Sequence, residues 1–152
     1  VGITNKEAAD ILESYFSAFP SVQNYMEETI ELARERGYTE TLFGRRRRIP
    51  ELLSTNFRIR QAAERQAMNA GIQGLAADIF KVALINLDQE LDEKGLKSRI
   101  VLQVHDEVIL ECPEEEIAEA EMLTVQTMAT AYELVVPLEV HVSSGQSWAE
   151  AK

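Results

Sequence analysis

The sequence predicts an α+β fold, a small antiparallel sheet covered by helices and centred on a β-hairpin. Three observations carry this. Residues 56–94 read as one long helix, with Gly95 as its stop. Residues 99–112 hold two β-prone runs, Ile100-Val101-Leu102-Gln103-Val104 and Val108-Ile109-Leu110, on either side of the polar His105-Asp106-Glu107. The order is helices first, then hairpin, helix and strand, which segregates helices from an antiparallel sheet.

The elements follow in order. Thr4 and Glu7 form a capping box. It opens an amphipathic helix that runs to about Phe19 and stops before Pro20. So abrupt a start suits a piece of a larger protein as well as a complete one. Ser21 can cap a second helix ending at Gly37. Tyr38 to Phe43 is short and β-prone, and Gly44 and the run Arg45 to Arg48 follow it. Ile49-Pro50-Glu51 is expected to be extended, because proline disfavours helix at the residue before it. In the long helix Gly71 and Gly74 mark an expected kink or break. Met68, Ile72, Leu75, Ile79 and Val82 recur at helical spacing as an expected buried stripe. Pro113 with Glu114-Glu115-Glu116 starts a further helix that ends near Tyr132. After Pro137, Leu138 to Val142 alternates apolar and polar, as a last strand would. Three strands are few for an independent sheet, so the complete sheet is expected to have more than this chain supplies.

A chain of 152 residues fits one domain with a sizeable core. Its net charge of −11 argues against free-standing affinity for nucleic acid. The charge is uneven, however. Between Arg34 and Arg65 nine arginines face four glutamates, a local net of +5 that can meet a polyanion. Cys112 is the single cysteine, which excludes an intrachain disulfide and fits a reducing compartment; it reads as a plain buried thiol. No unbroken run of 18 apolar residues indicates a membrane span.

Two constellations carry chemistry. A carboxylate at a hairpin tip, here in His105-Asp106-Glu107, projects from a rigid scaffold and suits a hard cation such as Mg²⁺. A solvated turn has the same composition. Arg65, Asn69 and Gln73 recur every four residues as a row of donors on the long helix. Every Watson–Crick pair shows an acceptor in the minor groove, so such donors can accept all correct pairs and sense a misshapen one. An ordinary solvated helix face also reads this way.

Together these segments resemble a known family. Residues 65–78, RQAMNAGIQGLAAD, resemble the palm helix of family A DNA polymerases, the bacterial DNA polymerase I group. Gln103-Val104-His105-Asp106-Glu107 is similar to that family's hairpin bearing a catalytic aspartate. Residues 41–51 resemble its fingers–palm connection, and residues 136–148 its C-terminal segment. The resemblance implies residues 1–55 as part of the fingers and their connection, and 56–152 as the C-terminal part of the palm. It implies a helical fingers portion and a long palm helix packed on the sheet with the catalytic hairpin. It also implies template-directed nucleotidyl transfer by two Mg²⁺ ions, on primer-template DNA and deoxynucleoside triphosphates, in a bacterial cytoplasm at the nucleoid. Asp106 would be a metal ligand, Glu107 a neighbouring catalytic carboxylate, and His105 a donor near the primer terminus or a support for the turn. Arg65 and Gln73 would contact the minor groove, with Asn69 supporting them or the template. Arg45 and Arg46, in the run to Arg48, would meet DNA phosphate or else pair with surface acids. His141 reads as structural or solvated.

Gly71 stands where the family often has proline, and Leu75 where it often has a small hydroxyl residue. The family's other catalytic aspartate and its nucleotide-holding fingers helix belong to a segment upstream of these motifs. The isolated chain is therefore expected to be inactive. Other readings stand beside this one. The chain could be a folded fragment without chemistry. It could be a protein-interaction module, from the acids of 27–35 and 114–121. A metal-dependent phosphohydrolase built on His105-Asp106 would need more clustered ligands than the sequence places. No membrane partner is expected, and copies of the fragment could pair through an exposed sheet edge.

Overall fold

The computed structural model describes residues 2–151. Among the described residues the chain is helix-rich with two small antiparallel sheets, and it forms two compact units, Val1–Leu75 and Ala76–Lys152. The expected single three-stranded sheet is thus replaced by two separate two-stranded ones.

The first unit opens with α1 (Asn5–Ala18), capped as expected: the Thr4 hydroxyl accepts from the Glu7 backbone N–H, and Glu7 accepts from Thr4. Helix α2 (Pro20–Arg36) begins with proline at its first turn and Phe19 at the cap position. Ser21 therefore lies inside the helix and does not cap it. The fixed φ of proline suits a first helical turn, where its missing N–H costs nothing. Gly37 ends α2 in the left-handed region, φ 77°. Strands β1 (Tyr38–Glu40) and β2 (Arg46–Arg48) then pair antiparallel, with Glu40 opposite Arg46. Ile49, at φ −137° and ψ 71°, lies outside the extended region, and Pro50–Leu53 is a short 3-10 turn with proline at its first position, which corrects the extended reading of 49–51.

Helix α3 (Phe57–Glu93) runs through Gly71 and Gly74 without a break. Its buried residues in this unit are Ala63, Ala67 and Ala70, with Ala63 and Ala67 packed on Ala33, Ile49 and Leu52. The expected apolar stripe is corrected accordingly: Ile79 is buried, Met68, Leu75 and Val82 are half-buried, and Ile72 is 61% exposed. Small residues win the buried face because they let neighbouring backbone approach closely. The alanines also raise mean hydropathy over one 18-residue window to 1.3, so α3 is long and apolar enough, by length and composition, to cross a membrane.

In the second unit α3 ends in a Schellman motif. Leu96 N–H bonds to Leu91 C=O and Gly95 N–H to Asp92 C=O, with Gly95 at φ 69°. Leu87, Leu91 and Leu123 form the core, with Leu96, Ile100, Val108 and Leu110 packed against it. Strands β3 (Arg99–Val104) and β4 (Glu107–Glu111) form the expected hairpin, with a register shift between Ile100 and Leu102. Glu116, in the 3-10 turn Glu114–Glu116, leads into α4 (Ile117–Ala129), which ends three residues before Tyr132. Residues 138–142 form no ladder among the described residues, so the expected last strand is corrected to irregular structure. A strand is defined by its partner, and none is hydrogen-bonded there. Cys112 is a half-buried free thiol.

Candidate functional site

The β3–β4 hairpin closes with the pair Val104–Glu107, leaving His105 and Asp106 as a two-residue loop. His105 has φ 55°, an uncommon backbone region for a residue with a Cβ but one that histidine visits more than most. The Gln103 side-chain amide donates to the His105 carbonyl at 2.8 Å and ties the loop to its own strand. His105, Asp106 and Glu107 are all exposed. The sequence reading therefore placed the tip correctly, with Glu107 as the first residue of β4 rather than part of the turn. It missed Gln103, whose signal was a side-chain amide two residues before a tight turn.

Three of the four arginines of the run, Arg46 to Arg48, form strand β2. Arg46 is held by Glu40 at 2.6 Å and lies over the Tyr38 ring at 4.7 Å. The hydrogen bond to Glu40, and its negative charge, push the Arg46 guanidinium above its ordinary range. Arg45, Arg46, Arg47 and Gln73 line one open groove of about 380 Å³ with Thr39, Thr41, Ala70 and Gly74. Arg65 and Asn69 line a second, of about 340 Å³, with Val22, Tyr25, Met26, Met68 and Ile72. The donor row is exposed along its whole length, as expected, but it serves two grooves: Gln73 faces the arginine strand, while Arg65 and Asn69 share theirs with an aromatic and apolar wall. Gly71 lies between them, and a Cβ there would stand 3.1 Å from the Tyr25 hydroxyl.

Glu116 is a further anchor the sequence reading did not single out. Its carboxylate accepts from the Lys97 and Ser98 backbone N–H groups and from the Ser98 hydroxyl, at 2.7–3.1 Å, just ahead of β3. The Ser98 hydrogen bond, then that from Lys97, hold its pKa below the ordinary glutamate value.

The model of the family described as DNA polymerase family A matches residues 1–150. The chain belongs to DNA polymerase family A. This family A chain is 51% identical over 152 residues to DNA polymerase I of Bacillus subtilis strain 168 and 49% identical to that of Lactococcus lactis subsp. lactis strain IL1403; all of the chain aligns, with 17% of each relative. The thermostable DNA polymerase I of Thermus filiformis is 49% identical, with 18% of its length covered. The chain thus spans less than a fifth of the relatives it matches. Among solved structures, the POL domain of Pol1 from M. smegmatis, in complex with DNA primer-template and dNTP, superposes with a TM-score of 0.94 at 52% identity. That match covers 98% of this chain and 26% of the other.

Proposed function

We propose that these residues are the C-terminal fingers and palm portion of a DNA-directed DNA polymerase of the bacterial cytoplasm, with 1–55 in the fingers and their connection and 56–152 in the palm. The observation that carries the proposal is the exposed Asp106 on a two-residue hairpin loop, within a chain of this family. Primer-template DNA and deoxynucleoside triphosphates would be its partners; the similar solved domain is a complex with both.

The donor set suits Mg²⁺ as one part of a site. Mg²⁺ takes oxygen ligands and often only one or two carboxylates beside water and substrate phosphates. No cluster of three or more metal-ligating side chains occurs among the described residues, so Asp106 would supply one ligand of a site completed by a carboxylate outside them. When bound, two such ions make the primer 3′-hydroxyl a better nucleophile and neutralise charge on the triphosphate. Asp106 would hold that chemistry at the hairpin tip, and Glu107 would add negative potential beside it. His105 would donate near the primer terminus. Arg65 and Gln73 would donate to minor-groove acceptors, with Asn69 in support, and Arg45 and Arg46 would meet backbone phosphate. The isolated 152 residues would then not extend a primer. Isolated copies would pair through the hairpin's exposed edge, where Val101 and Leu102 face solvent.

The test is primer extension by the intact protein with Mg²⁺ and all four nucleotides. Asp106→Ala should abolish extension and leave duplex binding largely intact. Near-wild-type extension by that variant would remove Asp106 from the metal site.

A further inference from the structure

We infer that Thr41 is the positioning residue of the arginine groove, seating the β1–β2 turn on the bare backbone of Gly74. The inference rests on the proposed reading of that groove as a phosphate site. Three observations meet at this residue. The Thr41 hydroxyl accepts from the backbone N–H groups of Phe43 and Arg45, both at 3.3 Å. Its own N–H donates to Arg45 C=O at 3.0 Å, and its C=O accepts from Gly44 N–H at 2.9 Å. Its methyl group faces α3 so closely that a Cβ on Gly74 would stand 2.7 Å from it.

The two halves of this side chain therefore do different work. The hydroxyl fixes the turn from which Arg45 to Arg47 emerge. The methyl fixes how near that turn comes to Gln73, the neighbour of Gly74. Threonine is stiff about χ1, and here its hydroxyl is already committed, so the methyl cannot swing aside for a larger residue at position 74. Real Cβ contacts do not fall to 2.7 Å, so an alanine there must push the turn outward. The guanidinium groups and the Gln73 amide both line the groove, so their separation sets how far a phosphate held by the arginines stands from the base edge that Gln73 would meet. An arginine fork loses much of its value when displaced, because bidentate contact with phosphate demands fixed geometry.

The experiment is a cycle in the intact protein: Gly74→Ala, Thr41→Ser, both together, and Thr41→Val. Affinity for a primer-template duplex is read across a sodium chloride series, and hydrogen exchange is read over peptides spanning 41–48. Gly74→Ala should weaken duplex binding about tenfold, the loss of one charge-assisted contact, and make the salt slope shallower by about 1. Thr41→Ser in that background removes the clashing methyl and should restore both. Thr41→Val keeps the methyl but removes the hydroxyl acceptor of the Phe43 and Arg45 backbone N–H groups, so exchange should speed up over 41–48; it also covers the case in which Gly74→Ala fails to fold. Equal losses with and without Thr41→Ser, or exchange unchanged in Thr41→Val, would overturn the positioning role. Faster exchange over 41–48 in Thr41→Val, in a protein whose duplex binding ignores Arg47→Gln, would instead sink the phosphate reading of the groove and the inference with it.

Discussion

Single side chains at the hairpin tip separate stability from function. His105 adopts φ 55°, which glycine would take without a Cβ penalty. His105→Gly should therefore leave the midpoint of urea unfolding unchanged or raise stability by up to about 1 kcal/mol. The same change should slow primer extension by the intact protein if the imidazole donates near the primer terminus. A loss of stability without a loss of extension would make His105 a turn support and nothing more. Glu116 offers a pH test of a different kind. Its carboxylate is ionised more readily in the folded chain, so its contribution is present above the ordinary value of 4.5 and is lost as pH falls through the lower folded value. Glu116→Gln should flatten that part of the acid-side stability curve, measured by urea midpoints between neutral and acidic pH. A curve that keeps its shape in the variant would show that the hydrogen bonds from Lys97 and Ser98 carry no linkage.

Elements were legible where a local signal decided them, and not where packing did. The α1 cap, the glycine stops at 37 and 95 and the β3–β4 hairpin each follow from a few neighbouring residues, and all are present. The arginine strand β2 was not legible, because arginine has little strand preference; Thr41 and Gly44 close its turn, and Glu40 neutralises the residue opposite. The candidate strand 138–142 had the right alternation but depends on a partner that its own sequence cannot specify. The buried face of α3 was misread for a related reason: periodicity weights large apolar residues, whereas close packing of backbones selects alanine. The misreading has a measurable consequence. Ile72→Ala, at a 61% exposed position, should change stability by no more than about 0.5 kcal/mol. Ala67→Leu, at a position with no exposure, should cost about 1–3 kcal/mol by overpacking against Ile49 and Leu52. Chemical denaturation of the two variants side by side decides which face is the core, and a larger loss for Ile72→Ala would restore the original stripe.

At the scale of the whole chain, a net charge of −11 coexists with a belt from Arg34 to Arg65 that is net +5. Taken globally the charge repels a polyanion, so any binding to duplex DNA must come from local contacts. Part of the belt also makes contacts within the chain. Arg34 is paired with Glu64, and Arg46 with Glu40. Arg47 and Arg48 are exposed on β2. If they neutralise phosphate, the logarithm of the binding constant should fall linearly with the logarithm of salt concentration. Replacing both by glutamine should make that slope shallower by up to about 1.8, roughly 0.9 for each phosphate released from its counterions. The weakening should be uniform across duplex sequences, because phosphate contacts hold register without reading bases. Arg65→Ala and Gln73→Ala should behave differently, lowering extension from mismatched termini relative to matched ones while moving the salt slope little. A charge belt acting only through its summed field would instead respond in proportion to the charge removed, two units for Arg47 and Arg48 against one for Arg65 and none for Gln73. Fluorescence anisotropy over a salt series, with extension assays on matched and mismatched primers, therefore separates positioning from reading within one molecule.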